Sequence, residues 1–259
     1  MIYFREKLDS IEKKHGIHIE YLMETTSTND VAAEERFESG DIVIAEYQTK
    51  GRGQRGHSWH SKTGENLTFT LVLKPEDMLV DKQFYISKMI PLALVRTFAR
   101  FDIRAEIKWT NDVYVGDRKI VGILIENDIM GDRITKSIAG IGINVNQKTF
   151  DPALPNPVSM SVITGKKYDR AQVLDCFITE VSILLDKLKS RKFDELDAEY
   201  HCNLYRRKGS YPFADPDGQL FNASIERVHE TGELILRHES SGEVKSYLFT
   251  EVEFVIKNR

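Results

Sequence analysis

Two cysteines, Cys176 and Cys202, are all that the 259 residues contain. That is too few for a disulfide framework, and their spacing is not the C-x-x-C of zinc or redox sites. The expectation is two buried free thiols. Long apolar runs are also missing: the longest, Met89 to Val95, falls far short of the ~18–20 residues that span a bilayer. The first ten residues carry Arg5, Glu6, Lys7 and Asp9, which excludes the apolar stretch of a signal peptide. Positive charge is not in excess. Lys plus Arg number 36 against 40 Asp plus Glu, a net charge of −4, so there is no whole-molecule field to hold a nucleic-acid backbone. Any anion site must be local. With 41% hydrophobic and 29% charged residues, 16 Gly and 7 Pro, the chain is neither disordered nor collagenous. It reads as a reduced, cytoplasmic globular protein with no membrane or nucleic-acid partner.

What is present is an ordered series of short elements. Phe4 to Lys14 has helical spacing, with Gly16 placed to end it. Ile17 to Met23 reads as a strand. The hydroxyl-rich run Thr25 to Asp30 then leads into a helix over 31–35 that Ser27 or Thr28 is placed to cap. Ile42 to Tyr47 is a compact apolar strand, and Leu67 to Leu73 alternates as a half-buried strand does. Phe84 to Phe101 repeats apolar residues at three- and four-residue steps, a core-facing helix despite Pro91. Ala105 to Trp109, Val113 to Val115, Ile120 to Glu126 and Ile134 to Val145 are strand-like runs; the turn signals Gly116-Asp117 and Gly131-Asp132 among them predict an antiparallel meander. Helices are expected over Arg170 to about Lys189 and Phe193 to Tyr205. After that, turn signals separate short strands in the rhythm of a small β-barrel, which places a domain boundary near Arg206: 1–205 and 206–259.

Three segments carry chemistry. Lys50 to Trp59 holds three glycines, two arginines and a lysine, and from Gln48 to Lys62 there is no acidic residue. Glycine lets the backbone approach a ligand, and free N–H groups with arginines make an anion cradle; a solvated basic loop is the plain alternative. The same stretch formally matches G-x-G-x-x-G, but no helical pattern follows it, as a dinucleotide fold requires. Second, Lys108, Asn111 and Asp112 sit at the junction of two strands, and hairpin pairing brings Lys119 near Asp112. Two ammoniums and a carboxylate suit a reaction between two anions; a cross-strand surface pair is the plain reading. Third, Gly140-Ile141-Gly142-Ile143-Asn144 is a strand whose glycines leave room on one face for a flat group, although tight sheet packing explains them equally well. The seven histidines show no metal-ligand spacing.

Taken in order, Ser27-Thr28-Asn29, Gly51-Arg52-Gly53-Gln54-Arg55-Gly56-His57-Ser58-Trp59, Lys108 to Asp112 with Lys119 to Glu126, and Gly140 to Asn146 resemble the biotin–protein ligase family, over roughly residues 20–165. The resemblance implies an α+β fold: a mixed, largely antiparallel sheet flanked by helices, akin to class II aminoacyl-tRNA synthetases, with an SH3-like barrel at the C-terminus. It implies that biotin and Mg-ATP form biotinyl-5′-AMP, after which a lysine of a biotin carboxyl carrier domain takes the acyl group. Lys108, Arg52, Lys119 and Asp112 would be catalytic. Ser27, Thr28, Asn29, Gln48, Gly53, Gln54 and Gly122, with Arg52 and Lys108, would bind biotin. Gly51, Arg55, Trp59, Asn111 and Asn144, with Arg52 and Lys119, would hold ATP and the adenylate. Asp112 would hold Mg2+ or help deprotonate the incoming lysine.

The chain departs from the family at Gln54, where many bacterial members carry Arg; Gln donates a hydrogen bond but brings no charge. About two dozen residues precede Ser27, which leaves no room for the winged helix-turn-helix of the bifunctional ligase/repressors. A monofunctional ligase is therefore the expectation, with dimerisation through the catalytic sheet compatible with it. A lipoate or octanoyl ligase or transferase of the same fold, and a non-catalytic biotin-binding regulator, are the alternatives.

Overall fold

The computed structural model describes residues 2–256, with only the backbone for Ile2 and Arg55. Helix α1 (Ile2–His15) ends at Gly16, whose φ of +65° closes the last turn with its N–H on Glu12 O at 2.8 Å. Strand β1 (Ile19–Thr25), the five-residue helix α2 (Thr28–Ala32), β2 (Ile42–Gln48) and β3 (Leu67–Leu73) follow. Ser27 occupies the N-cap of α2 but makes no side-chain cap hydrogen bond. Helix α3 (Phe84–Ala99) carries Pro91 inside it. Then come β4 (Glu106–Lys108), β5 (Asp112–Val115), β6 (Arg118–Met130) and β7 (Arg133–Ile143), an antiparallel meander that turns at Gly116 and Gly131, both at positive φ.

These strands form one seven-stranded sheet in the order β1-β2-β3-β7-β6-β5-β4, in which β1 and β2 run parallel and every other pair is antiparallel. Strand β3 lies inside it, between β2 and β7, and all seven of its residues are buried rather than half of them. The reason is cover on both faces. Leu67, Phe69, Leu71 and Leu73 enter the main core under the helices, where the Phe69 ring meets Phe177 at 5.3 Å. Val72 faces the other way, into a small cluster with Ala32, Phe37, Val43 and Ile138. Each such side chain contributes ~1.5–3 kcal/mol on burial.

Helix α4 (Met160–Thr164), capped by Ser159, is too short to show in the periodicity. Helix α5 (Arg170–Lys189) is capped by Asp169, and α6 (Phe193–Cys202) stops three residues before the expected Tyr205. Beyond it the chain is extended against β4: Ile107 N–H donates to Asn203 O at 2.7 Å and Tyr205 N–H to Ile107 O at 2.8 Å. The cysteines are free, but Cys176 is only half-buried and Cys202, in the last turn of α6, is exposed. The apolar surface they were expected to join is supplied by α5 and α6 leucines and aromatics instead.

The remaining strands, β8 (Tyr211–Ala214), β9 (Leu220–Val228), β10 (Leu234–His238), β11 (Val244–Tyr247) and β12 (Glu253–Phe254), form a second, antiparallel sheet ordered β11-β10-β9-β8-β12. It shares the main hydrophobic core with the large sheet and its helices and is tied to them by polar contacts. Trp109 Nε1–H donates to Gly232 O at 2.8 Å, and Val228 N–H donates to His201 Nε2 at 2.7 Å. Among the described residues no helix is long and apolar enough to cross a membrane.

Candidate functional site

A cavity of about 290 Å3 opens where the first turn of α2, the end of β2, the 51–59 loop and strands β4 to β7 meet. One wall is a polar ring. The parallel pairing of β1 with β2 sets Thr25 beside Gln48, so the chain that leaves β1 passes directly over the Gln48 side chain. Gln48 Oε1 accepts from Thr28 N–H at 2.7 Å and from Thr28 Oγ1 at 3.0 Å. Thr70 Oγ1 donates to Asn29 Oδ1 at 2.6 Å, and Asn29 Nδ2 donates to Glu126 Oε2 at 2.6 Å. Ser27, Thr28 and Asn29 are almost wholly buried, so this ring is fixed before any ligand arrives. Gly140 makes room for it: a Cβ there would stand 2.4 Å from Asn29 Oδ1.

The floor is glycine. Gly122 on β6 and Gly142 on β7 are paired across the two strands, and the Trp59 indole lies over both. The 51–59 segment is a tight hairpin. Arg52 bridges Ser58, Trp59 N–H donates to Gly51 O at 2.9 Å, and Gly53 N–H donates to His57 O at 2.6 Å. Among the described residues Trp59 Nε1 is buried with no hydrogen-bond partner, a cost of ~1–3 kcal/mol while it stays unmet. Arg52 lines the cavity, yet its Nη2 is held by Asp30 at 2.9 Å and Glu126 at 3.0 Å, which ties the loop to α2 and β6.

The third wall carries the reactive charges. Lys108 ends β4, Asp112 begins β5 and Lys119 is the second residue of β6. A bulge between Val113 and Tyr114 shifts the register, so Asp112 pairs with Gly122 while Lys119 Nζ still reaches Asp112 Oδ1 at 2.8 Å. Asn111 donates from Nδ2 to the Ile123 carbonyl, bracing the β4–β5 turn against β6. Burial pushes the Lys108 ammonium below the ordinary lysine value, with Lys119 and Arg206 acting the same way and Asp112 and Glu253 opposing. Burial likewise raises the Tyr114 phenol well above its usual range. Lys108 and Lys119 therefore share one wall with Asp112, while Arg52, on the loop, is paired with Asp30 and Glu126.

The structure thus brings together Ser27, Thr28, Asn29, Gln48, Arg52, Gly53, Gln54, Trp59, Lys108, Asn111, Asp112, Lys119 and Gly122 on one cavity. Gly51 lies behind the loop, where a Cβ would stand 2.3 Å from Trp59 O. The Arg55 side chain lies outside the described residues. Asn144 stands off the cavity wall. It is buried just past β7, its N–H on Ile120 O and its carbonyl accepting from Met160 N–H, and so serves the sheet-to-α4 connection. Thr68, Ile123, Leu124, Gly140, Ile141 and Gly142 also line the cavity, with His57 and Ser58 of the loop; all but Thr68 lie in the motifs that carry the family resemblance, and Thr68 shows only in the alternation of β3. Among the described residues no group of three or more His, Cys, Asp or Glu is placed to hold a metal ion. Asp112 alone, already paired with Lys119, is too small a donor set for a resident cation.

Three comparisons with known proteins bear on the fold. The model of the biotin/lipoate A/B protein ligase family matches residues 21–144. The bifunctional ligase/repressor BirA of Bacillus subtilis is 35% identical over 167 residues, which are 62% of this chain and 50% of that protein. The biotin–[acetyl-CoA-carboxylase] ligase of Paracoccus denitrificans is 32% identical over 146 residues, 51% of this chain and 58% of that one. A solved biotin protein ligase from Aquifex aeolicus, in complex with biotin and ATP, superposes with a TM-score of 0.77 at 26% identity, covering 92% of this chain and 99% of that one. Residues 21–144 carry the domain of the biotin/lipoate A/B protein ligase family. The chain spans about half the length of the BirA relatives it matches.

Proposed function

We propose that the chain is a biotin–protein ligase, which activates biotin as biotinyl-5′-AMP and transfers it to a lysine of a biotin carboxyl carrier domain. The observation that carries this reading is the convergence, on one cavity, of the polar ring, the cradle loop and the Lys108–Asp112–Lys119 cluster. The ring offers donors and acceptors to a ureido group, which needs partners once it leaves water. In the first step a biotin carboxylate oxygen attacks the α-phosphorus of ATP and pyrophosphate leaves. Two anions must approach, so Lys108, Lys119 and Arg52 offset their repulsion and stabilise the charge that builds on the phosphoryl oxygens. Trp59 closes the adenylate in, and a ligand oxygen would satisfy its orphan N–H.

In the second step the carrier lysine amine attacks the acyl carbon and AMP leaves. Asp112, ion-paired with Lys119 at 2.8 Å, is the carboxylate on the cavity wall at hand to take a proton. Mg2+ enters as part of Mg-ATP, where one protein carboxylate beside substrate phosphates is a common arrangement; no step is routed through it. In this reading residues 1–205 are the catalytic domain and 206–259 a second, SH3-like one. A homodimer through the large sheet would use its terminal strand β1, because residues 203–205 already cover the outer edge of β4. Two free thiols, one of them exposed, suit the reducing cytoplasm.

The experiment is biotin-dependent exchange of labelled pyrophosphate into ATP, followed by label transfer to a carrier domain. Lipoate and octanoate in the same assay separate the related ligases. Exchange with lipoate and none with biotin overturns the substrate assignment.

A further inference from the structure

The ammonium of Lys108 sits between two aromatic rings that belong to different sheets. Its Nζ is 5.4 Å from the ring centroid of Tyr114, on β5, and 4.9 Å from that of Phe254, on β12 of the small sheet. Both lie within the ~6 Å at which a ring face attracts a cation. The two rings are the contacts recorded for Lys108 Nζ. The charged groups that face it come from four places: Asp112 on β5, Lys119 on β6, Glu253 on β12 and Arg206 in the link between the sheets.

Phe254 is not on a loose tail. It pairs with Phe213 across β8 and β12, and the two rings are 4.9 Å apart. Tyr205 packs on it at 6.0 Å. The next residue is held at both backbone atoms: Val255 N–H donates to Pro212 O at 3.2 Å, and Arg206 Nη1 donates to Val255 O at 3.1 Å. The small sheet therefore delivers one ring to a fixed point beside the reactive lysine.

We propose that Phe254 is a positioning residue for Lys108: its ring, opposite Tyr114, holds the ammonium at the cavity wall, so the small sheet completes the reactive centre. The inference rests on the proposed ligase reading for what Lys108 does, but not for how Lys108 is held. An aromatic face stabilises the charged lysine by its quadrupole, whereas bulk alone does not. Leucine keeps the apolar cover without the quadrupole, tryptophan keeps both, and alanine admits water.

The test has two independent readouts in the full chain. The first is competitive acetylation by acetic anhydride between about pH 7 and 10, which titrates each lysine amine and compares Lys108 with exposed Lys13 by mass spectrometry. Phe254→Leu is expected to raise the neutral-amine reactivity of Lys108 about two- to fivefold at fixed pH. Phe254→Trp should restore wild-type reactivity, and Phe254→Ala should lower it as water re-solvates the ammonium. The second readout is pyrophosphate exchange: Phe254→Leu should lower kcat about tenfold while the biotin KM changes little, with rescue by Trp. If Phe254→Leu matches wild type in both readouts, or if Leu, Ala and Trp differ only in melting temperature, Phe254 is packing and the inference is overturned. If no variant, wild type included, supports biotin exchange but the acetylation pattern holds, the ligase reading fails and the Phe254–Lys108 coupling stands.

Discussion

The indole of Trp59 rests on the bare backbone of Gly142, where a Cβ would stand 2.1 Å from the ring. The same ring lies 2.9 Å from where a Cβ on Gly122 would be. Neither glycine is at positive φ, so alanine fits the strand itself, and its lower unfolded-chain entropy adds up to ~1 kcal/mol of stability. What alanine forbids is the seated loop. Gly142→Ala is expected to leave the melting temperature unchanged or slightly raised. It should cut biotin-dependent exchange about tenfold or more, the scale of an overpacked contact of ~1–3 kcal/mol. A normal exchange rate would separate the glycine floor from loop closure.

Arg52 holds the loop by two arms, to Asp30 and Glu126, and all three side chains are nearly half exposed. Such pairs are worth ~0.2–1 kcal/mol each and weaken with salt. Glu126→Gln should therefore release labelled adenylate about two- to threefold faster at low ionic strength. At about 0.5 M salt, wild type and variant should converge. A salt-independent difference would point to the Asn29 contact instead.

Gln54 also faces the cavity, 3.5 Å from Thr110 Oγ1, and it brings no charge to the adenylate. Gln54→Arg is expected to slow adenylate dissociation, as measured by chase of labelled intermediate. An unchanged rate removes this residue from retention.

His201 makes docking of the small sheet sensitive to pH. Its Nδ1–H donates to Asp197 O at 2.7 Å, which leaves Nε2 to accept from Val228 N–H. Burial, helped by Lys88 and Arg227, lowers its pKa below the ordinary 6.5. The unfolded chain then binds the proton more readily than the folded one, so stability is full above pH 6.5 and is lost as pH falls through 6.5 toward the lower folded value. Melting curves should show this decline. His201→Gln, which keeps an acceptor, should abolish it at a cost of ~0.5–1.5 kcal/mol for an altered hydrogen bond.

Much of this architecture can be read locally. The meander declares itself through Gly116 and Gly131, α5 through its periodicity, and the Lys119–Asp112 pair through the hairpin that joins them. What the sequence hides is contact between distant segments. Asn29 meets Glu126 across 97 positions, and Phe254 reaches Lys108 from another sheet. The full burial of β3 depends on Phe37 and Phe177 arriving on opposite faces. Asn144 carries a motif whose spacing suggests a ligand contact, yet its backbone is taken up by Ile120 and Met160. Cys202 was expected inside, but the last turn of α6 faces water.

The most direct test of the whole account is biotin-dependent exchange of labelled pyrophosphate into ATP by wild type and by Lys108→Ala. The account predicts exchange in wild type that requires biotin and is not supported by lipoate. It predicts a loss of about a hundredfold or more in Lys108→Ala, as expected when a transition-state charge loses its partner. Undiminished exchange and carrier biotinylation in Lys108→Ala, with biotin binding alone weakened, would contradict it.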